Sequence, residues 1–316
     1  MINRSVVIVP FEQGTDVARV VRTATAIAAS PVDVHLVQVM TADGLWPMEQ
    51  EARGRATWSP GNEPPAGDGA AVRTVRVRGK VETIIPAYAQ LVGARAIVVE
   101  RNYGTPNIWR SAAVVTRLSR SSPVPVLVLP ARGPALDRVA SGDISGVVVA
   151  VDSSVGAAVA LKTGLALARR HHARLTMLHA IRNVPDHMVF SGGEAWRVTE
   201  GLAVQQRRMA GRLRHRAALL GETNAQAQVV TGDPGLAIVS AASKADTDLV
   251  VMGVAPRTAL DQWVFGSTLR TVLRRAQTPV LVVPVIGGAA QWYENTFGED
   301  AIGALAERTL TARTAA

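Results

Sequence analysis

The chain repeats its own pattern, and that repeat constrains its architecture more than any other feature. The segment RSVVIVPFEQGTDVARVVRTATAIAASPVDVHLVQVM (4–40) aligns with SGVVVAVDSSVGAAVALKTGLALARRHHARLTMLHAI (145–181). Val6 corresponds to Val147 and Val39 to Ala180, at one constant offset. RGKVETIIPAYAQLVGARAIVVE (78–100) aligns with TGDPGLAIVSAASKADTDLVVMG (231–253), and PVLVLP (125–130) with PVLVVP (279–284). Three blocks in the same order, with the length change confined mainly to the middle, argue for duplication. Each copy reads strand, helix, strand, variable middle, strand, helix, strand, loop, helix, strand.

In the second copy the strands are expected near 146–151, 175–181, 226–230, 248–252 and 279–283. They are unbroken Val- and Leu-rich runs, as strands covered on both faces require. Leu269, Val272, Leu273 and Ala276 recur at helical spacing. Alternating β and α predicts a parallel sheet with right-handed crossovers. The fold class is therefore α/β: two tandem Rossmann-like domains, each an open parallel five-stranded sheet flanked by helices. The expected boundaries are a first domain at 1–132, a polar, Pro- and Gly-bearing linker at 133–143, a second domain at 144–286 and a tail at 287–316. The middle of the second copy (194–222) reads as an amphipathic helix, whereas TWSPGNEPPAGDGAAV (57–72) reads as an irregular loop.

Composition narrows the function. The absence of cysteine removes disulfides, thiolate–zinc sites and thiol catalysis, and fits a reducing compartment. The N-terminal run lacks a signal-peptide layout, and no apolar stretch is long enough to span a bilayer. A cytoplasmic protein with no membrane partner is expected. The net charge of +9 could attract anions, but the densest basic cluster, RRMAGRLRHR (207–216), has no interleaved aromatics. It reads as a solvated helix face rather than a nucleic-acid surface. RGK at 78–80 lacks the spacing and trailing Ser/Thr of a Walker A loop. No paired carboxylates, triad or zinc-type spacing is evident, and no general base stands beside the loop described next. Catalysis is not the expected role; a slow ATPase is the enzymatic alternative.

That loop is MGVAPRTALDQWVFGST (252–268). Strand-to-helix loops in α/β units usually run about 2–6 residues, and this one is much longer. It leaves the fourth strand at Met252 and Gly253 and closes at Gly266, Ser267 and Thr268, where a helix is expected with Ser267 as its N-cap. First-turn amides and the helix dipole favour phosphate there. Open parallel sheets bind ligands at the carboxyl ends of their strands. Asp152, ending the first strand, could accept from an amino or ribose hydroxyl group. Ala180, ending the second, could offer its peptide edge to a purine. Gly232 and Pro234 form a tight turn at the same edge. His179 reads as a satisfied core or edge residue, and His171 and His172 as helix-end residues.

VVVAVD, LHA, TGDP and VVMG…GST…PVLVVP together resemble the universal stress protein family, here in tandem, over essentially 1–285. The resemblance implies the adenine nucleotide alpha hydrolase-like form of the fold and an ATP site, with or without Mg. It implies that Asp152 and Ala180 contact adenine and ribose, that Gly253, Gly266, Ser267 and Thr268 hold ribose and phosphates, and that Met252 belongs to the same cofactor site. The family's nucleotide-binding members share Gly, two residues, Gly, nine residues, Gly-Ser/Thr. Here Pro256 takes the second glycine's place and so removes an N–H; Arg257 beside it could supply charge instead. The first copy departs further: Phe11 stands for Asp152 and Glu100 for Gly253, so this half is not expected to bind nucleotide. The implied role is a stress-response regulator or protective protein. The halves are expected to pair with each other, and chains to dimerise. The alternative is a scaffold whose site Pro256 has disabled.

Overall fold

The computed structural model describes residues 5–11, 15–28, 32–40, 71–101, 112–152, 154–182, 195–254 and 265–285. Of the irregular loop expected at 57–72, residues 57–70 lie outside them, as does the tail beyond 286; Ala71 and Val72 depart from that expectation and open a strand.

The first half runs β1 (Ser5–Phe11), α1 (Val17–Ile27), β2 (Val32–Met40), β3 (Ala71–Arg78), α2 (Val81–Leu91), β4 (Ala94–Glu100), α3 (Ala112–Ser121) and β5 (Val126–Leu129). A short helix, α4 (Pro134–Ser141), leads to the second half: β6 (Gly146–Ala150), α5 (Val155–Arg170), β7 (Arg174–Ile181), α6 (Ala195–Leu219), β8 (Gln226–Thr231), α7 (Pro234–Ala242), β9 (Leu249–Val254), α8 (Phe265–Arg275) and β10 (Val280–Pro284). All ten strands join one sheet in the order β3-β2-β1-β4-β5-β10-β9-β6-β7-β8. Every pairing is parallel except the central one, where β5 meets β10 antiparallel through Val126–Val282, Leu127–Leu281 and Val128–Val280. The strand order therefore reads alike from either edge, as the α/β expectation of two open parallel five-stranded sheets requires.

Strand alternation sends neighbouring residues to opposite faces. Leu249, Val251, Leu281 and Val283 pack on one side with α1, α4, α5 and α6. Val250, Met252, Val280 and Val282 pack on the other with α2, α3, α7 and α8. Both faces are covered at the centre of the sheet, which explains why β5, β6, β9 and β10 lack polar alternation.

The segment from 133 to 143 is helical over most of its length. Pro134 occupies the first turn, Gly142 ends the helix at φ +85°, and Ala135, Leu136 and Val139 are buried against the body of the protein. Side chains also cross the central joint. The buried Arg101 donates to the Ala276 carbonyl at the end of α8. Arg170 donates to the Ile27 and Ala28 carbonyls at the end of α1, at 2.7 and 2.6 Å. Each half thus caps a helix C-terminus of the other, where four carbonyls lack intrahelical partners. Arg138 on α4 pairs with Asp248, which is fully buried at the start of β9. Asp248 also accepts from the Ser145 and Gly146 amides at 2.7 and 3.0 Å and from the Ser145 hydroxyl at 2.8 Å. Burial pushes its carboxyl pKa up, but these donors together outweigh that and hold it below its ordinary value.

Candidate functional site

In the second half, β6, β7 and β8 progress one way across the sheet, and β9 and β10 lie on the other side of β6. The strand order reverses between β6 and β9. Crossovers leave in opposite directions there, and a crevice opens beyond the strand ends. A cavity of about 550 Å³ occupies this position. It lies within the range of roughly 300–1,000 Å³ typical of small-molecule sites.

Asp152, Ala180, Met252, Gly253 and Thr268, all selected from the sequence, line the cavity together. Gly266 and Ser267 lie in the first turn of α8. Pro256 and Arg257 fall outside the described residues. The helix starts at Phe265, so Ser267 sits inside the first turn instead of serving as the expected N-cap. Amides of a first turn project out of the helix N-terminus, and α8 carries no acidic residue in that turn to offset its dipole.

Local hydrogen bonds position the remaining groups. Asp152 Oδ1 accepts from the Ser154 amide at 2.8 Å, and Ser154 Oγ caps α5 by accepting from the Ala157 amide at 3.1 Å. Ser154, not Asp152, is therefore the helix cap. Asp152 is held by one carboxylate oxygen and remains half-buried at the cavity wall. The β6–β7 ladder reaches Ala150–Leu178, and the Val151 amide donates to the Leu178 carbonyl at 2.8 Å. Peptide edges alternate along a strand. Two residues beyond Leu178, the edge of Ala180 turns the same way, past the end of β6 and toward the cavity. His179 also lines the cavity, with Nδ1 donating to the Val151 carbonyl at 2.7 Å; it is satisfied, as its strand position suggested. Gly232 turns at φ +128°, and Asp233 caps α7 through the Leu236 amide at 2.8 Å. Pro234 and Ile238 thereby complete one wall.

The structure adds two cationic side chains that the sequence reading passed over, Arg182 and Arg120. Arg182 follows Ala180 by two residues and was legible as a strand-end cation. Arg120 belongs to α3 of the first half, and no local signal in the sequence connects it to this edge. With Asp152 the one carboxylate among the described lining residues, the wall suits an anionic ligand.

Gly253 is also held by packing. A Cβ built on it would lie 1.8 Å from the Gly156 carbonyl oxygen, because the first turn of α5 crosses the end of β9. The first half solves the same place differently. By the repeat register Val17 corresponds to Ala158, so α1 starts three residues later than α5 does at Val155. The room left is taken by Glu100, which stands where Gly253 does. It is buried, pairs with Arg19 on α1, and accepts from the Asp16 amide at 3.3 Å. Phe11, in the place of Asp152, is buried as well.

The sequence profile described as Universal stress protein family matches residues 145–284. A universal stress protein of Thermus aquaticus is 35% identical over 138 residues, which cover 43% of this chain and 96% of that relative. A universal stress protein of Methanocaldococcus jannaschii is 25% identical over 137 residues, covering 80% of its length. Among solved structures, a universal stress protein from Archaeoglobus fulgidus superposes with a TM-score of 0.57 at 15% identity, covering 89% of this chain and 99% of that one. A Pseudomonas aeruginosa protein described as functionally unknown gives a TM-score of 0.57 at 18% identity, covering 93% and 97%. The two structural matches speak to the fold across both halves. The Thermus relative, matched over 96% of its own length, speaks to descent: the chain belongs to the universal stress protein family.

Proposed function

We propose that residues 144–286 form a nucleotide-binding domain that holds one adenine nucleotide, ATP in the first instance, in the cavity at the β6–β9 switch point. The observation that carries this reading is the convergence of Asp152, Ala180, Gly253 and Thr268 on one cavity beside the N-terminus of α8. The peptide edge of Ala180 would meet the adenine, and the free side of the Asp152 carboxylate would take a ribose hydroxyl or the amino group. The first turn of α8, with Gly266, Ser267 and Thr268, would take the phosphates. Residues 1–132 would form a second domain that binds no nucleotide, because Glu100 and Phe11 occupy the corresponding positions. Occupancy would bias conformation or partner choice in a cytoplasmic stress-response regulator.

The competing reading is a scaffold in which Pro256 has disabled the site, and it is favoured by the amide lost there. Thermal unfolding with and without Mg-ATP separates the two. At a hundredfold excess over Kd, binding stabilises by about 2.7 kcal/mol, a rise in Tm of roughly 5 °C or more. An unchanged Tm at millimolar nucleotide would overturn the binding reading.

A further inference from the structure

The antiparallel joint decides which first-half side chains can reach the second half's cavity. Because β5 and β10 run in opposite directions, the edge at which β6, β7 and β9 end is the edge at which β5 begins. Only residues 122–125 separate the end of α3 from β5. The last turn of α3 is therefore delivered to the carboxyl edge of the second half. There α3 packs on α8, with Val114, Val115 and Leu118 in the same apolar cluster as Leu269, Val272 and Leu273.

From this turn Arg120 reaches the cavity wall, which it shares with Thr268 and Leu269. Its Nε is buried and has no hydrogen-bond partner among the described residues. The other arginines that cross the joint, Arg101 and Arg170, are engaged by helix C-terminal carbonyls. The repeat-related residue, Arg274 at the end of α8, is exposed. A buried donor left unmatched is costly. A guanidinium presents a planar fork of donors that fits phosphate oxygens in pairs. Here such a group is held on a cavity wall, beside the first residues of a helix whose positive end faces the same space.

We propose that Arg120, carried by the first half, recognises a phosphate group of the ligand bound in the second half, so that the site selects phosphorylated adenine ligands over the nucleoside. This rests on the adenine-nucleotide reading given above. Arg120 touches the phosphate chain and not the base, so its effect scales with phosphate content. It also makes the site a joint product of both halves.

The test is calorimetric titration of the full chain, as wild type, Arg120→Gln and Arg120→Lys, with ATP, ADP, AMP and adenosine at fixed salt. Wild type is expected to bind ATP more tightly than adenosine. Arg120→Gln should weaken ATP binding roughly tenfold to a hundredfold while leaving adenosine within about twofold. Arg120→Lys, which keeps the charge but loses the fork, should recover part of the loss. Adenosine affinity serves as the internal control for folding. An unchanged ratio of ATP to adenosine affinity in Arg120→Gln, including a parallel loss of both, would overturn the assignment while leaving the nucleotide site standing. A wild-type chain that binds none of the four ligands would overturn the nucleotide reading and the role of Arg120 with it.

Discussion

Replacing Gly253 with alanine separates packing from ligand contact. The added Cβ would sit 1.8 Å from the Gly156 carbonyl oxygen, 2.2 Å from its carbonyl carbon and 2.8 Å from its Cα. All three are backbone atoms of α5, so no side-chain rotation relieves the overlap. The first turn of α5 must move by more than about 1 Å, and it carries Ala157, packed in the core with Ala160 of the next turn. Overpacking of a core costs typically about 1–3 kcal/mol, and backbone against backbone belongs at the upper end. A loss of about 3 kcal/mol lowers Tm by roughly 6–12 °C in a protein of this size class. The assay is thermal or urea unfolding of Gly253→Ala without any nucleotide. If the glycine served ligand contact alone, the ligand-free variant would melt within a degree or two of wild type, and that result would refute the packing argument.

Other perturbations follow from the same geometry. Glu100→Ala strips the carboxylate from Arg19; removing one partner of a buried pair costs about 3–5 kcal/mol, and the 19% exposure of Arg19 brings the expected loss to about 2 kcal/mol, read by urea unfolding. Asp248→Ala leaves the Ser145 and Gly146 amides unmatched and should cost about 3–5 kcal/mol. Because the folded carboxyl of Asp248 titrates below its ordinary 3.8, its contribution is present above that value and is lost as pH falls through the folded pKa. The variant should therefore show a shallower acid limb than wild type. His35 and His171 are both held below the ordinary 6.5, first by burial and then by Arg73 and Arg170, against the opposing pull of Asp33 and of the Gly142 carbonyl. The unfolded chain then binds more protons than the folded one just below pH 6.5, so stability should fall as pH is lowered through that range. A His35→Gln/His171→Gln double variant should flatten this slope, and an unaltered slope would count against both assignments.

The centre of the sheet was legible because its strands are short, unbroken apolar runs. The run expected at 146–151 is a strand at Gly146–Ala150, and the one expected at 279–283 is Val280–Pro284. The helix at 133–143 was obscured by its own punctuation. Pro134 and Gly142 read as linker residues, yet Pro in a first turn and Gly at a C-cap also mark the two ends of a helix. Ala135, Leu136 and Val139 supply its buried stripe. The helix α8 starts at Phe265, three residues before the Thr268 that a Ser267 cap implies, because context and not the cap residue alone sets where a helix begins. The antiparallel joint was not legible at all. PVLVLP and PVLVVP present the same apolar edge, and nothing local states that the two edges pair, or in which direction. Arg120 was missed for that reason: its approach to the cavity follows from the joint and not from its neighbours in the chain. Asp152, Ala180, Met252, Gly253 and Thr268 were found because they stand at strand ends or at a helix mouth, places that periodicity locates well.

The most direct test of one open and one closed half is the stoichiometry of nucleotide binding to the full chain, measured by native mass spectrometry against increasing ATP. One ATP per chain is expected, held by the second half while Glu100 and Phe11 fill the first. Two per chain would contradict the closed first half. None at millimolar nucleotide would contradict the site itself.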